Sequence, residues 1–474
     1  MQEPLTPAIM AALPQWVAQQ RWYAGKGRVP VLRHIGGLRL ENPAEEVDIN
    51  IHLLLDESGR TPTTYQVPLT CRTERLAGAD HALVATEEVG TEGGDGRLGR
   101  DRTRYFYDAP HDPAFATALL ALMLDEQHMG FASGCRLATA DPGELSASHV
   151  LVGEQSNTSI ILDLVDASGG PSKPLICKLF RVLQDGQNPD VVVQSALSAA
   201  GSTRVPGSVG YVCGQWPDAA AADGVATGHL AFAQEFLPGI EDAWRVALAA
   251  VASGEDFSEQ ARSLGLATAQ VHATLAKAMG TREATPDDVV ALTRSLRARH
   301  AAALFEVPAL ADYDKVVHAS IEAVSSARWP ALQRIHGDYH LGQVLDAPGR
   351  GWVLVDFEGE PLRPLAERTQ PDLALRDVAG MLRSFDYVAG SWEQGHPGHS
   401  AAPWAERART AFLQGYTSGA GRDPREDAVL LDALELDKAL YEVVYEARNR
   451  PTWLSIPTTA IARLSAGRRS DLRS

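Results

Sequence analysis

The run Ile335-His336-Gly337-Asp338-Tyr339-His340-Leu341-Gly342-Gln343 is followed by Val353-Leu354-Val355-Asp356-Phe357-Glu358. Two carboxylates and one amide therefore stand at fixed intervals, with Gln343 five residues after Asp338 and Asp356 eighteen after it. Gln343-Val344-Leu345 and Trp352 to Val355 read as short strands around a Pro-Gly turn. That hairpin carries Gln343 at its start and Asp356 at its end. Either half alone is weak, because any His-Gly-Asp can be a turn and any Val-Asp-Phe can end a strand. Both together, at this spacing, are much harder to reach by chance.

The spacing and order are those of protein kinases, whose catalytic Asp precedes a metal-binding amide and a second metal-binding Asp. Phosphoryl transfer needs such parts. A base must orient the attacking hydroxyl and accept its proton, and oxygen ligands must hold Mg²⁺ against the ATP phosphates. Asp338 is read as the base, with Gln343 and Asp356 as metal ligands.

Composition narrows the partners. The chain has 474 residues and a net charge of −17, from 43 basic and 60 acidic residues. That balance disfavours nucleic acid, because phosphate contacts need clustered Lys and Arg. No segment approaches the length of a membrane span, and no basic-then-apolar leader opens the chain, so a cytoplasmic protein is expected. Cys71, Cys135, Cys177 and Cys213 lie far apart and read as unpaired thiols in a reducing compartment.

Three regimes follow one another. A helical pattern at Leu13 to Arg21 precedes strand-like runs at Val47 to Leu55 and Tyr65 to Leu69. The Gly-rich, charged segment Thr91 to Arg102 reads as a loop and a boundary. Next come a helix around Pro113 to Gln127, several apolar runs (His149 to Leu151, Ser159 to Val165, Leu175 to Phe180, Tyr211 to Cys213, Leu230 to Phe236) and a helix at Pro189 to Ala200. From about residue 239 the pattern is helical, the hairpin being its only clear strands. The expected fold class is α+β. It is bilobal and protein-kinase-like, with a cap subdomain at 1–105, an intermediate subdomain at 106–233 completing the small nucleotide-binding lobe, and a helical C-lobe at 234–474.

The other kinase parts can be sought in order. Gly153 to Ser159 joins two strands, and Ser156, Asn157 and Thr158 would let backbone amides approach phosphates; an ordinary hairpin turn is the equal alternative. Lys178 sits inside an apolar strand and needs a partner, for which ATP phosphates would serve, unless the strand is an edge that exposes it. Gln234, Glu235 and Leu237 end a strand ahead of helical sequence, where a kinase hinge would bond adenine through its backbone. His272 reads as a packed helix residue. Arg376 and Asp377 read as structural: Asp377 could cap the helix they begin, or Arg376 could pair with a carboxylate near the site. Lys438, Tyr441, Glu442 and Tyr445 recur at i, i+3, i+4 and i+7 and share one helical face. From periodicity alone that face suits equally a sugar or plain solvent.

With these parts in place the chain resembles the actinobacterial maltokinases, within the aminoglycoside-phosphotransferase-like branch of the kinase fold. The words that carry the likeness are Gln20 to Lys26 (QRWYAGK), Glu154 to Ser159, HGDYHLGQVL, Asp-Phe-Glu-Gly-Glu-Pro from Asp356, Leu375 to Phe385 and Tyr445 to Pro451. The resemblance implies transfer of the ATP γ-phosphate to the anomeric hydroxyl of maltose, giving maltose 1-phosphate for α-glucan synthesis. It implies ATP and Mg²⁺ as cofactors, and Asp338, Glu358, Lys438, Tyr441, Glu442 and Tyr445 as the sugar-binding set. It makes Trp22 and Tyr23 cap-core aromatics. Trehalose synthase is the implied partner, and a monomer is expected. One departure stands out: Val192 occupies the place of the glutamate that normally pairs with the strand lysine. The pairing of Lys178 therefore passes to Asp190 or to nucleotide. The alternatives are a kinase of glucosamine, an aminoglycoside or another small alcohol, and a non-catalytic scaffold partner of trehalose synthase.

Overall fold

A computed structural model describes residues 5–41, 47–89, 102–151, 156–361 and 363–471. The expected glycine-rich loop, except Arg102, and residues 153–155 of the expected phosphate loop lie outside this set. The chain forms two compact units. One comprises residues through Val191 together with Gly207–Pro238, and the other Val192–Pro206 together with Gly239 onward.

The first unit opens with helix α1 (Pro7–Gln19), capped by the Thr6 hydroxyl and started by a proline. Pro costs nothing at that position, because its missing N–H would have no helical partner there. Strands β1 (Leu32–Leu40), β2 (Asp48–Asp56), β3 (Thr63–Arg72), β4 (Leu83–Val89) and β5 (Arg102–Asp108) follow, then helix α2 (Pro113–Leu124). Next are β6 (His128–Met129), β7 (Ala132–Arg136), β8 (Glu144–Val150), β9 (Asn157–Val165), β10 (Leu175–Phe180) and β11 (Val182–Leu183). Helix α3 (Pro189–Ala199) then runs from this unit into the other, and β12 (Ser208–Pro217) and β13 (Val225–Glu235) return.

Two antiparallel sheets result, ordered β1-β2-β3-β5-β4 with β11 on β3, and β6-β7-β12-β13-β10-β9-β8. Helix α2 is apolar on nearly every face, and its Phe115, Leu119, Leu122 and Met123 are buried in one core with Ile160, Leu162 and Phe232. Burial all round is what such a helix requires. Trp22 and Tyr23 lie in a second core with Ile9, Leu13 and Val17 of α1, as cap-core aromatics.

The boundary expected after residue 105 falls inside β5, and that expected after 233 falls inside β13. Regions 1–105 and 106–233 interlock: Gln66 donates to the carbonyls of Phe180 and Leu230, and Val182 pairs with Tyr65. A composition change marks a loop, and long-range pairing of this kind leaves no trace in composition.

The second unit holds α4 (Ala243–Ser253), α5 (Ser258–Met279), β14 (Thr281–Arg282), α6 (Pro286–Glu306), α7 (Asp314–Val324) and β15 (Leu332–Gln333). The hairpin β16 (Val344–Ala347) and β17 (Gly351–Leu354) comes next, then α8 (Leu365–Arg368), α9 (Leu375–Gly395), α10 (Ala402–Ala420), α11 (Ala428–Asn449) and α12 (Ser455–Asp471). The hairpin is not its only ladder, because β14 pairs with β15. Two-residue strands are too short to show a period. Helices α5 and α10 touch backbone to backbone. A Cβ on Gly265 would lie 2.0 Å from the Phe412 carbonyl oxygen, and one on Gly415 would lie 1.9 Å from that of Arg262.

Charges are also buried here. Arg383 is 1% exposed and bonds Glu442 Oε2 at 2.7 Å and Asp386 Oδ2 at 2.6 Å. Arg409 and Arg463 bridge Asp386 to Glu435, with distances from 2.9 to 3.4 Å. The network joins α9, α10, α11 and α12. Among the described residues no helix is long and apolar enough to cross a membrane.

Candidate active site

The loop between β15 and β16 carries the first motif and is fixed by side chains from three helices. Asp377 of α9 accepts the amides of His336 and Gly337 at 2.8 and 2.9 Å. Its Oδ2 also meets His272 Nε2 at 2.9 Å, and His272 Nδ1 meets the Tyr416 hydroxyl at 2.9 Å. Asp377 therefore does not cap its own helix as expected, since its carboxylate is taken by the loop. His272 is buried and packed, as expected of it, and also steadies Asp377. Further ties run from Tyr339 Oη to Thr268 Oγ1 at 2.8 Å and from the Leu341 amide to Ser384 Oγ at 3.1 Å.

Gly337 has φ +85°, a conformation that costs an L side chain strain. At Gly380 on α9 a Cβ would fall 2.5 Å from the Tyr339 carbonyl oxygen, so the helix can approach the loop only as glycine.

Within this frame the predicted residues of the helical unit come together. Gln343 Nε2 donates to Asp356 Oδ2 at 2.8 Å. Asp356 has φ +67°, a left-handed conformation unusual outside glycine and often stored at functional sites. The His336 ring nitrogen Nε2 contacts the carbonyl oxygen of Val355 at 3.0 Å and ties the two motifs. Lys438 Nζ donates to Asp338 Oδ1 at 2.9 Å. Partial burial pushes the Asp338 carboxyl up, but the Lys438 ammonium, then His340 and His336, outweigh it, leaving it below the usual carboxylate range. Burial pulls Lys438 down, and Asp338 with Glu360 more than reverses this, so the ammonium is held charged.

A cleft of about 330 Å³ opens beside this pair. Lys438, Tyr441, Glu442 and Tyr445 all line it. Lys438 Nζ lies 5.2 Å over the Tyr441 ring, which stacks with Tyr445 at 6.5 Å. Glu442 is not a free carboxylate, because Arg383 holds it; burial nevertheless raises its pKa. Glu358 is half-buried, and its carbonyl oxygen accepts from Arg368 at 2.7 Å.

Several residues of the cleft were missed in the sequence: Trp244, His340, Tyr387 and Trp453 line it too. Gly380, Ser384 and Tyr387 face it at i, i+4 and i+7, a periodicity that was readable. Arg299 was missed as well. It bonds Glu360 at 2.9 Å, lies 3.3 Å from Asp437 and sits over the Tyr441 ring. Arg376 bonds Asp372 at 2.8 Å and Asp437 at 3.0 Å.

In the strand-rich unit, β10 lies between β9 and β13, so Lys178 is not on an edge. It is buried, and its Nζ donates to Asp190 Oδ2 at 2.8 Å. Asp190 stands one residue into α3, two before Val192, and supplies the carboxylate absent from Val192. Ser156 is exposed and Asn157 begins β9, whereas Thr158 Oγ1 accepts from the buried Arg181 at 2.8 Å. Gln234 is buried. The Glu235 amide donates to the Gly207 carbonyl at 2.8 Å, and Leu237 follows the end of β13.

Mg²⁺ suits the donors near Asp338. The Gln343 side-chain carbonyl oxygen and the Asp356 carboxylate are hard oxygen ligands, the class that magnesium prefers, and the two side chains are already held together by the Gln343 Nε2 hydrogen bond to Asp356.

Residues 16–112 match the maltokinase N-terminal cap domain, and residues 193–430 match the phosphotransferase enzyme family. A glucosamine kinase of Streptacidiphilus jiangxiensis is 32% identical over 298 residues, covering 58% of this chain and 65% of that protein, just under two thirds of its length. A glucosamine kinase of Mycolicibacterium smegmatis is 30% identical over 329 residues, covering 66% of this chain and 78% of that protein. The solved structure of a glucosamine kinase in complex with glucosamine, ADP and inorganic phosphate aligns with a TM-score of 0.66 at 23% identity, over 98% of this chain and 100% of that one. The chain thus belongs to the phosphotransferase enzyme family, with a maltokinase-type cap ahead of a protein-kinase-like fold.

Proposed function

We propose that this protein is an ATP-dependent sugar kinase, and that its acceptor is maltose, phosphorylated on the anomeric hydroxyl to give maltose 1-phosphate and ADP. The observation that favours maltose is the maltokinase-type cap at residues 16–112. The cleft beside Asp338 supports a sugar: aromatic rings offer faces for pyranose carbons, its volume lies in the ~300–1,000 Å³ range of small-molecule sites, and charged side chains line it.

Asp338, held ionised by Lys438, accepts a hydrogen bond from the sugar hydroxyl, orients it and takes its proton as the phosphoryl group transfers. Gln343 and Asp356 would hold Mg²⁺, which neutralises phosphate charge when bound. Lys178, steadied by Asp190, is assigned to the nucleotide phosphates, with the backbone around Ser156 to Thr158 beside them and that of Gln234 to Leu237 to adenine. Positioning and charge neutralisation supply most of the rate in such reactions. A product of this kind would feed α-glucan synthesis, and the enzyme that makes maltose, trehalose synthase, is the partner to test.

Glucosamine is the competing acceptor, favoured by the names of the two relatives. The test is ADP release from MgATP with maltose, glucosamine, glucose, trehalose or no acceptor, and phosphorus NMR on the product. Maltose-dependent turnover with phosphate on the anomeric oxygen is expected. Turnover confined to glucosamine would replace the acceptor, and none with any sugar would overturn the kinase reading. Asp338→Ala should lower turnover by about 10²–10⁴-fold or more with nucleotide affinity nearly unchanged.

A further inference from the structure

We propose that His300, Asp314 and His318 form a binding site for a divalent transition-metal ion of the zinc class, separate from the Mg²⁺ ligands assigned above. His300 lies on α6, and Asp314 and His318 lie at i and i+4 on α7, the spacing that places two side chains on one helical face. Asp314 Oδ1 is 3.6 Å from His300 Nε2 and 3.5 Å from His318 Nε2. Potential ligand atoms from all three residues lie within 4.8 Å of one another.

Those separations are long for hydrogen bonds. They fit a metal site: ligand atoms ~2.0–2.1 Å from a tetrahedral Zn²⁺ stand about 3.3 Å from each other. The imidazole rings meet edge to face with centroids 5.1 Å apart.

A second observation is independent of the spacing. His300 is 2% exposed, yet its buried Nε2 has no hydrogen-bond partner among the described residues. A buried polar nitrogen left unsatisfied is costly, and a metal ion between it and Asp314 would remove that cost. The Asp314 and His318 side chains are 42% and 52% exposed, so an ion can enter and a water can complete the shell.

Two imidazoles and one carboxylate select zinc and its neighbours over magnesium or calcium, which prefer oxygen-only sets. The ion would clamp α6 to α7. It would also fix the position next to Arg299, the residue that holds Glu360 and lies over the Tyr441 ring.

Full-length protein stripped with EDTA and dialysed should be titrated with ZnCl₂ against a chromophoric chelator, with Co²⁺ absorption reporting the ligand geometry. Wild type should bind one Zn²⁺ that excess Mg²⁺ does not displace, and that raises its melting temperature. His318→Ala, whose side chain is half-exposed and whose fold is checked by its metal-free melt, should weaken that binding by more than about tenfold. Asp314→Asn should weaken it too, while Asp356→Asn should not. Absence of Mg²⁺-resistant binding in wild type, or equal binding in wild type and His318→Ala, would overturn the site.

Discussion

Asp338 has two opposed influences on it. The site desolvates its carboxylate, and Lys438, 2.9 Å away, compensates. The sign of a pH experiment follows. In wild type the acid limb of kcat/KM due to Asp338 should lie below the ordinary carboxylate range. Lys438→Met removes the charge that does most to lower its pKa and leaves burial in place, so the limb should move to higher pH. A pH–rate profile checks this, and an unmoved limb would remove Asp338 as the group responsible. This pairing could not be read from the sequence, because Lys438 lies 100 residues away on another helix. The meeting of Gln343 and Asp356 was legible, since a hairpin fixes their separation locally. The partner of Lys178 was half-legible: the absence of a glutamate at Val192 pointed to Asp190, and only packing decided it.

At the scale of elements, the loop bearing Asp338 is set by helices α5, α9 and α10 through Tyr416, His272 and Asp377. Its distance from α9 is set by Gly380. Gly380→Ala would force a methyl against the Tyr339 carbonyl and should destabilise the protein by about 1–3 kcal/mol. Because the loop itself must shift, kcat should fall as well. Urea unfolding with steady-state kinetics measures both, and an alanine variant as stable and active as wild type would show that the contact is not fixed. Helix and strand placement was largely readable. Pro7, Pro113 and Pro286 each follow a side-chain cap at a helix start, and β10 coincides with an apolar run of six residues. The two-residue ladder of β14 and β15 was not readable, because its pairing is set by what lies on either side.

For the whole molecule, fold class and family followed from motifs spread along the chain, while the strand pairing between residues 1–105 and 106–233 did not. The cap and the intermediate region share strands and hydrogen bonds, and such sharing is invisible to composition. The buried ion network has a consequence for how the cleft can change over evolutionary time. Glu442 faces the cleft, yet its charge is shared with Arg383, which is sealed in the interior between Glu442 and Asp386. Replacing Glu442 by a neutral residue leaves the buried guanidinium with Asp386 as its remaining carboxylate, which Arg409 and Arg463 also draw on, a loss of up to about 3–5 kcal/mol, the cost when one partner of a buried pair is removed. A lineage drifting toward another acceptor at this position would therefore pass through an unstable intermediate unless residues 383 and 442 changed together. Tyr441 and Tyr445 carry no such tie, and the cleft can be recut there one residue at a time.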